Sequence, residues 1–156
     1  MTYKTVLCVG IYDNGLSLLL KLLLKKKPVV KFVKSSGVND LAHNELSPSK
    51  SVIKIALDLG FVLVQYDPAH PKTIKDAKAK NHTVIHHRPK HISAIKDLTV
   101  FDLIVTPYRS VHDQLLERRG IDPKKIALIN HPTGVDLRIR FEESYPILRS
   151  WVDQNF

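Results

Sequence analysis

The chain has 156 residues, 44% of them apolar and 25% charged, with 24 Lys and Arg against 15 Asp and Glu for a formal net charge of +9. These proportions suit one globular domain spanning residues 1–156, and they exclude a disordered or collagen-like chain. The single cysteine, Cys8, excludes an internal disulfide framework and a multi-cysteine zinc site, and it fits a reducing compartment.

Tyr3 to Val9 is a short run rich in Val and Leu, which predicts a buried strand. Gly10 to Gly15 is turn chemistry, with Asp13 or Asn14 placed to cap a helix. Leu16 to Lys27 predicts that helix, with lysines in its last turn and Pro28 after it. Its apolar stretch Leu18–Leu24 is interrupted by Lys21 and falls well short of the ~20 residues that span a bilayer. The lysines follow the apolar run, whereas a signal peptide carries its charges ahead of it. The expected protein is therefore soluble and cytoplasmic, with no membrane association.

Val29 to Val33 predicts a second strand and Ser35 to Ser49 a long polar loop. A helix starts at Ser49 or Ser51 and runs to Leu59, closed by Gly60. Phe61 to Tyr66 predicts a strand. Asp67 to Lys80 predicts a loop with a short helix near Thr73 to Ala79, and Thr83 to Ile85 a short strand. Val100 to Val105 predicts a buried strand, Ser110 to Arg119 a helix ahead of Gly120, and Lys125 to Asn130 a last strand. Leu137 to Asn155 predicts a long C-terminal helix containing Pro146, with Phe141, Tyr145, Leu148, Trp151 and Val152 forming its core stripe.

Strands alternate with helices throughout. This predicts an α/β fold of three layers: a mainly parallel sheet of four to five strands with helices on both faces. Ligands of such sheets sit beyond the C-terminal ends of the strands. The loop after the first strand is thus the candidate site. A strand, a tight loop and a helix N-terminus form a cradle for anions, because backbone N–H groups and the helix dipole both favour negative charge. The stretch is not a Walker loop, since no Lys-Ser or Lys-Thr follows a glycine. It is not a dinucleotide fingerprint either, since Gly10 and Gly15 lie five apart.

The stretch Val6-Leu7-Cys8-Val9-Gly10 through Leu16-Ser17 resembles the start of the low-molecular-weight tyrosine phosphatases, where a Val- and Leu-rich strand enters a Cys-x5-Arg-Ser loop. Three further stretches carry the resemblance along the chain. Val33-Lys34-Ser35-Ser36-Gly37 stands where the family has Ser-Ala-Gly-Thr. His87-Arg88-Pro89-Lys90-His91-Ile92, then Phe101-Asp102-Leu103-Ile104, resembles the family's His-x-Ala-Arg-Gln-Leu and Phe-Asp-x-Ile. His131-Pro132-Thr133-Gly134 stands for Asp-Pro-Tyr-Gly. The stretch from Val62 to His86 is longer than the family's.

The resemblance implies the family's fold and, for an active member, thiolate attack on phosphorus, an arginine clamp and an aspartic acid that protonates the leaving group. Here Gly10, Leu16 and His131 occupy those three positions, so no catalytic residues are expected. Counting five residues on from Cys8 reaches Asn14, not arginine, and Cys8 is expected to be a buried, inert thiol. Asp13 within the loop is expected to repel a phosphate.

The leading expectation is therefore a catalytically inactive phosphatase-like domain acting as a binding or regulatory module. Its expected binding residues are Gly10, Ile11, Tyr12, Asp13, Asn14, Gly15 and Ser17 in the loop, with Arg88, Lys90, Arg109 and His131 around it. Its expected partner is an acidic or phosphorylated protein or a small anion, and a homodimer is a further expectation. Two alternatives stay open: a divergent active phosphatase, and a nucleotide or nucleic-acid binder prompted by charge alone, without aromatic residues interleaved among basic ones. A phosphocarrier of the sugar transport system shares the strand-loop-helix start, but Cys8 falls two residues early for it. No cofactor or metal is expected. His82, His86, His87 and His91 lack helical zinc spacing and a joining Cys or carboxylate, so they are expected to form a polar surface loop beside Arg88 and Lys90.

Overall fold

The computed structural model describes residues 3–42, 47–64, 75, 79–129 and 141–156. Strand β1 (Thr5–Gly10) leads through the loop into helix α1 (Leu16–Lys25), then strand β2 (Phe32–Gly37) and helix α2 (Lys50–Asp58). Strands β3 (Phe61–Val64) and β4 (Thr83–His86) follow. Two single 3₁₀ turns precede β5 (Leu103–Thr106), helix α3 (Arg109–Glu117), β6 (Ile126–Leu128) and helix α4 (Phe141–Asn155).

Four strands form one parallel sheet in the order β2-β1-β5-β6. β1 pairs with β2 from Thr5↔Phe32 to Gly10↔Gly37, and with β5 from Val6↔Leu103 to Cys8↔Val105. The central strand has no polar face, because helices cover both sides. Val6 and Cys8 pack with α1, α2 and α4, while Leu7 and Val9 pack with Ile104 and with Val111 and Leu115 of α3. The chain is thus α/β and three-layered. β3 and β4 do not join this sheet. They pair with each other in parallel and bury Phe61 and Leu63 in the core that holds α1.

α1 is apolar nearly all round because it lies among the sheet, α2 and α4. Leu16, Leu18, Leu19, Leu20, Leu22, Leu23 and Leu24 are all buried, each contributing about 2 kcal/mol by apolar area removed from water. In α4, Leu148 and Val152 are fully buried, and Phe141, Tyr145 and Trp151 pack on the same cluster, as the spacing predicts.

Several boundaries differ from the sequence expectation. β2 begins at Phe32 and runs on through Ser35, Ser36 and Gly37, residues expected to be loop. β5 begins only at Leu103, since Leu98–Val100 form a 3₁₀ turn and Asp102 turns its carboxylate onto the backbone N–H groups of Lys4 and Thr5. α2 starts where expected, with Ser49 Oγ accepting from Val52 N. Most of the loop and short helix expected between Asp67 and Lys80, and the first residues of the expected C-terminal helix, lie outside the described residues.

Candidate functional site

β1 sends the chain to β2 on one side, while β5 lies on its other side. The C-terminal end of β1 is therefore the switch point where ligands of such sheets bind. The loop from Ile11 to Gly15 starts there. It is braced from three directions. Val38 N and Asn39 N donate to Gly10 O and Ile11 O. Asn14 Nδ2 donates to Ser47 O at 3.3 Å. Gly15 lies against the Phe141 ring so closely that a Cβ there would sit 2.7 Å from Cε1.

Neither residue expected to cap α1 does so. The N-cap is Gly15, with no side-chain cap; its carbonyl accepts from Leu19 N at 3.0 Å. Asp13 instead takes a left-handed backbone (φ 60°), which its short polar side chain tolerates. That turn folds its carboxylate into the protein, where the residue is 1% exposed. Oδ1 accepts from Ser17 Oγ at 3.3 Å and Oδ2 from Lys90 N at 3.0 Å. Ser35 faces the same carboxylate, its hydroxyl completing no well-formed hydrogen bond. The Asp13 carboxylate thus points inward, within reach of the charges of Lys21 and Lys90.

Lys21 and His87 beside it are the second departure from expectation. His87 is not part of a surface loop; it is 6% exposed beneath the site. Lys21 Nζ donates to His87 Nδ1 at 2.7 Å, which leaves the ring proton on Nε2, donated to Asp13 O at 2.6 Å. Burial, then the charge of Lys21, push the imidazole down to about 3, so it is neutral and its 3.9 Å approach to Asp13 Oδ1 is no ion pair. Burial raises the Asp13 carboxyl to about 6 against the pull of its hydrogen bonds and Lys21. Burial lowers the Lys21 ammonium to about 8 against the pull of Asp13. At neutral pH the two carry opposite charges, linked through a neutral histidine.

Of the residues matched to catalytic positions, Gly10 and Leu16 lie among the described residues. Gly10 ends β1, and a Cβ on it would lie 2.8 Å from Ser17 Oγ and 2.9 Å from Ser17 Cβ. Leu16 is 1% exposed in the leucine core. Cys8 is fully buried within β1, paired with Ser35 on one side and Val105 on the other. Burial pushes its thiol far above the ordinary range. His131 lies outside the described residues.

Of the remaining expected site residues, Lys90 is joined to the loop by its backbone and is half-buried. Tyr12 projects from the loop at 41% exposure. Arg88 is exposed between His87 and Lys90, and Arg109 opens α3 at the same end of the sheet. His91 bonds to Val38 O and Ser93 rather than to the loop. Among the described residues no group of His, Cys, Asp and Glu is arranged to hold a metal ion, and no helix is long and apolar enough to cross a membrane.

Sheet order, switch-point loop and helix placement define a phosphatase-like α/β domain with the fold of the low-molecular-weight protein tyrosine phosphatases. Vibrio vulnificus Wzb in complex with benzylphosphonate is similar at a TM-score of 0.65 and 17% identity, over 97% of this chain and 99% of that one. The tyrosine phosphatase Wzb from Escherichia coli K30 in complex with sulphate gives 0.65 and 17%, over 97% and 98%. The low-molecular-weight protein tyrosine phosphatase from T. tengcongensis gives 0.63 and 17%, over 97% and 96%. No protein-family model and no curated protein sequence matches the chain.

Proposed function

We propose that this chain is a catalytically inactive phosphatase-like domain that works as a binding or regulatory module. The observation that carries the reading is the head of the loop. Gly10 offers no nucleophile, and Ser17 fills the space a side chain there would need. The one thiol of the chain is sealed inside β1 with its ionisation suppressed. What remains is a braced loop at a helix N-terminus, flanked by Arg88, Lys90 and Arg109, a setting suited to an acidic or phosphorylated protein or a small anion.

Hydrolysis of para-nitrophenyl phosphate across a pH series tests it, comparing the native chain with Cys8→Ser. The expected result is no turnover above the uncatalysed rate in either protein. Turnover by the native chain that disappears in Cys8→Ser would overturn the reading and make this a divergent phosphatase. Grafting an arginine at Leu16 is a poor rescue, because it would place a guanidinium in the leucine core.

A further inference from the structure

We infer that the rim of edge strand β2, centred on Phe32 and Lys34, is a docking surface for an acidic peptide segment bearing an apolar side chain. This surface lies toward the N-terminal end of the sheet, away from the loop at the C-terminal end of β1. Two large apolar side chains stand exposed there: Phe32 at 43% and Val100 at 52%. They are neighbours through Thr5, which pairs with Phe32 and donates from Oγ1 to Val100 O.

Cations surround them. Lys34 Nζ sits 5.3 Å from the Phe32 ring centroid, and Lys125 Nζ reaches Thr99 O beside Val100. Toward the loop, burial and then the charge of Lys34 hold the Lys90 ammonium below its ordinary range, against the pull of Asp13. Lys34 has no ion pair among the described residues. The nearby acids are turned onto their own surroundings. Asp97 accepts from Thr99 N and Thr99 Oγ1, and Asp102 from Lys4 N and Thr5 N. Lys34 on this rim is thus left to an incoming carboxylate.

The state of the Phe32 ring selects the partner. One face is stacked on Phe101, with centroids 6.1 Å apart and planes 19° apart, and Lys34 lies over the ring. A nucleobase needs a free face to stack on. The ring edge, which carries the positive end of the quadrupole, suits a carboxylate, and Val100 suits an aliphatic anchor. An acidic peptide fits this arrangement and a nucleic acid strand does not.

Fluorescence anisotropy on the full chain tests the assignment, with a short labelled peptide rich in Glu and Asp and carrying a pair of leucines, against an oligouridylate of equal charge. The peptide is expected to bind and the oligouridylate to bind more weakly. Lys34→Glu and Phe32→Ala should each weaken the peptide about tenfold, as losses at a contact centre do. Val100→Asp, which removes an exposed side chain, should weaken it too and covers the case in which Phe32→Ala perturbs folding. Lys50→Glu makes the same charge change at an exposed position of α2 and should leave binding within about twofold, since a surface charge beyond the Debye length is screened. The assignment is overturned if the peptide does not bind, if the oligouridylate binds as tightly, if Lys50→Glu matches Lys34→Glu, or if Phe32→Ala and Val100→Asp change nothing.

Discussion

Lys21 lies in the middle of a helix whose other residues up to Leu24 are buried leucines and Ser17, while the helix's second lysine, Lys25, ends it in solvent. The Lys21 ammonium offsets the buried Asp13 carboxylate and fixes the tautomer of His87, which in turn holds the Asp13 carbonyl. Lys21→Met should therefore destabilise the fold by about 1–3 kcal/mol, because it leaves buried His87 Nδ1 without its donor and removes a charge that favours the Asp13 carboxylate. Asp13→Asn combined with Lys21→Met should cost at least about 1 kcal/mol less than the two single losses added together. Urea unfolding of the four proteins at pH 7 checks this, and additive losses would mean that the two groups do not act together.

The same trio sets a pH dependence. The His87 imidazole is depressed from 6.5 to about 3, so its contribution to stability is present above pH 6.5 and is lost as pH falls toward 3. The Asp13 carboxyl is raised from 3.8 to about 6, so its contribution has the opposite sense, present below 3.8 and lost as pH rises through 6. The two contributions oppose each other between pH 6 and 4, and removing His87 isolates the one that acid destabilises. Thermal melts between pH 7 and 4 should show a steeper fall for the native chain than for His87→Gln; parallel curves would remove His87 as the source.

Among the elements, β2 shows what a sequence hides. Val29–Val33 carries the apolar signal, yet the strand is Phe32–Gly37, because Ser35 and Ser36 are buried where the strand supports the loop. Polar residues that serve a site defeat a pattern built on hydrophobic faces. Gly37 closes that strand with no room to spare: a Cβ would lie 2.5 Å from Ile11 O and 2.8 Å from Ala42 Cβ. Gly37→Ala should cost about 1–3 kcal/mol through this overlap. Gly60→Ala, at φ 92° but in open space, should cost nearer 1 kcal/mol from backbone strain alone. Chemical denaturation ranks the two, and the reverse order would refute the close approach.

The site was legible in part for the same physical reason. The loop after β1 could be found from strand, glycine and helix alone, whereas Lys21 is read only as a break in an apolar run, although a charge in the middle of a buried helix is the signal that would point to a buried partner. His87 was not visible, because its sequence neighbours Arg88 and Lys90 are solvated while the ring itself turns inward. The Gly15–Phe141 contact joins residues 126 positions apart, and no local pattern reports it.

At the scale of the molecule, the alternation of strands and helices was enough to give layers and parallel pairing, since short connections and right-handed crossovers leave few other arrangements. It did not separate β3 and β4 from the main sheet. Both carry the same apolar strand signal as the others, and their pairing is decided by which helix faces they meet.

The central place of β1 carries a consequence for synthesis. β1 leaves the ribosome ahead of both its neighbours, one at Phe32–Gly37 and the other at Leu103–Val105, and its first backbone groups wait for the Asp102 carboxylate. Until that distant stretch emerges, β1 is paired along one edge only, and the leucines of α1 wait longer still for α4. Such long-range closure slows folding and leaves apolar surface open to other nascent chains. A ribosome stalled before Leu103 should therefore hold a β1 that is still exchanging its amide protons, and one stalled well after Leu128 should hold a β1 that is protected.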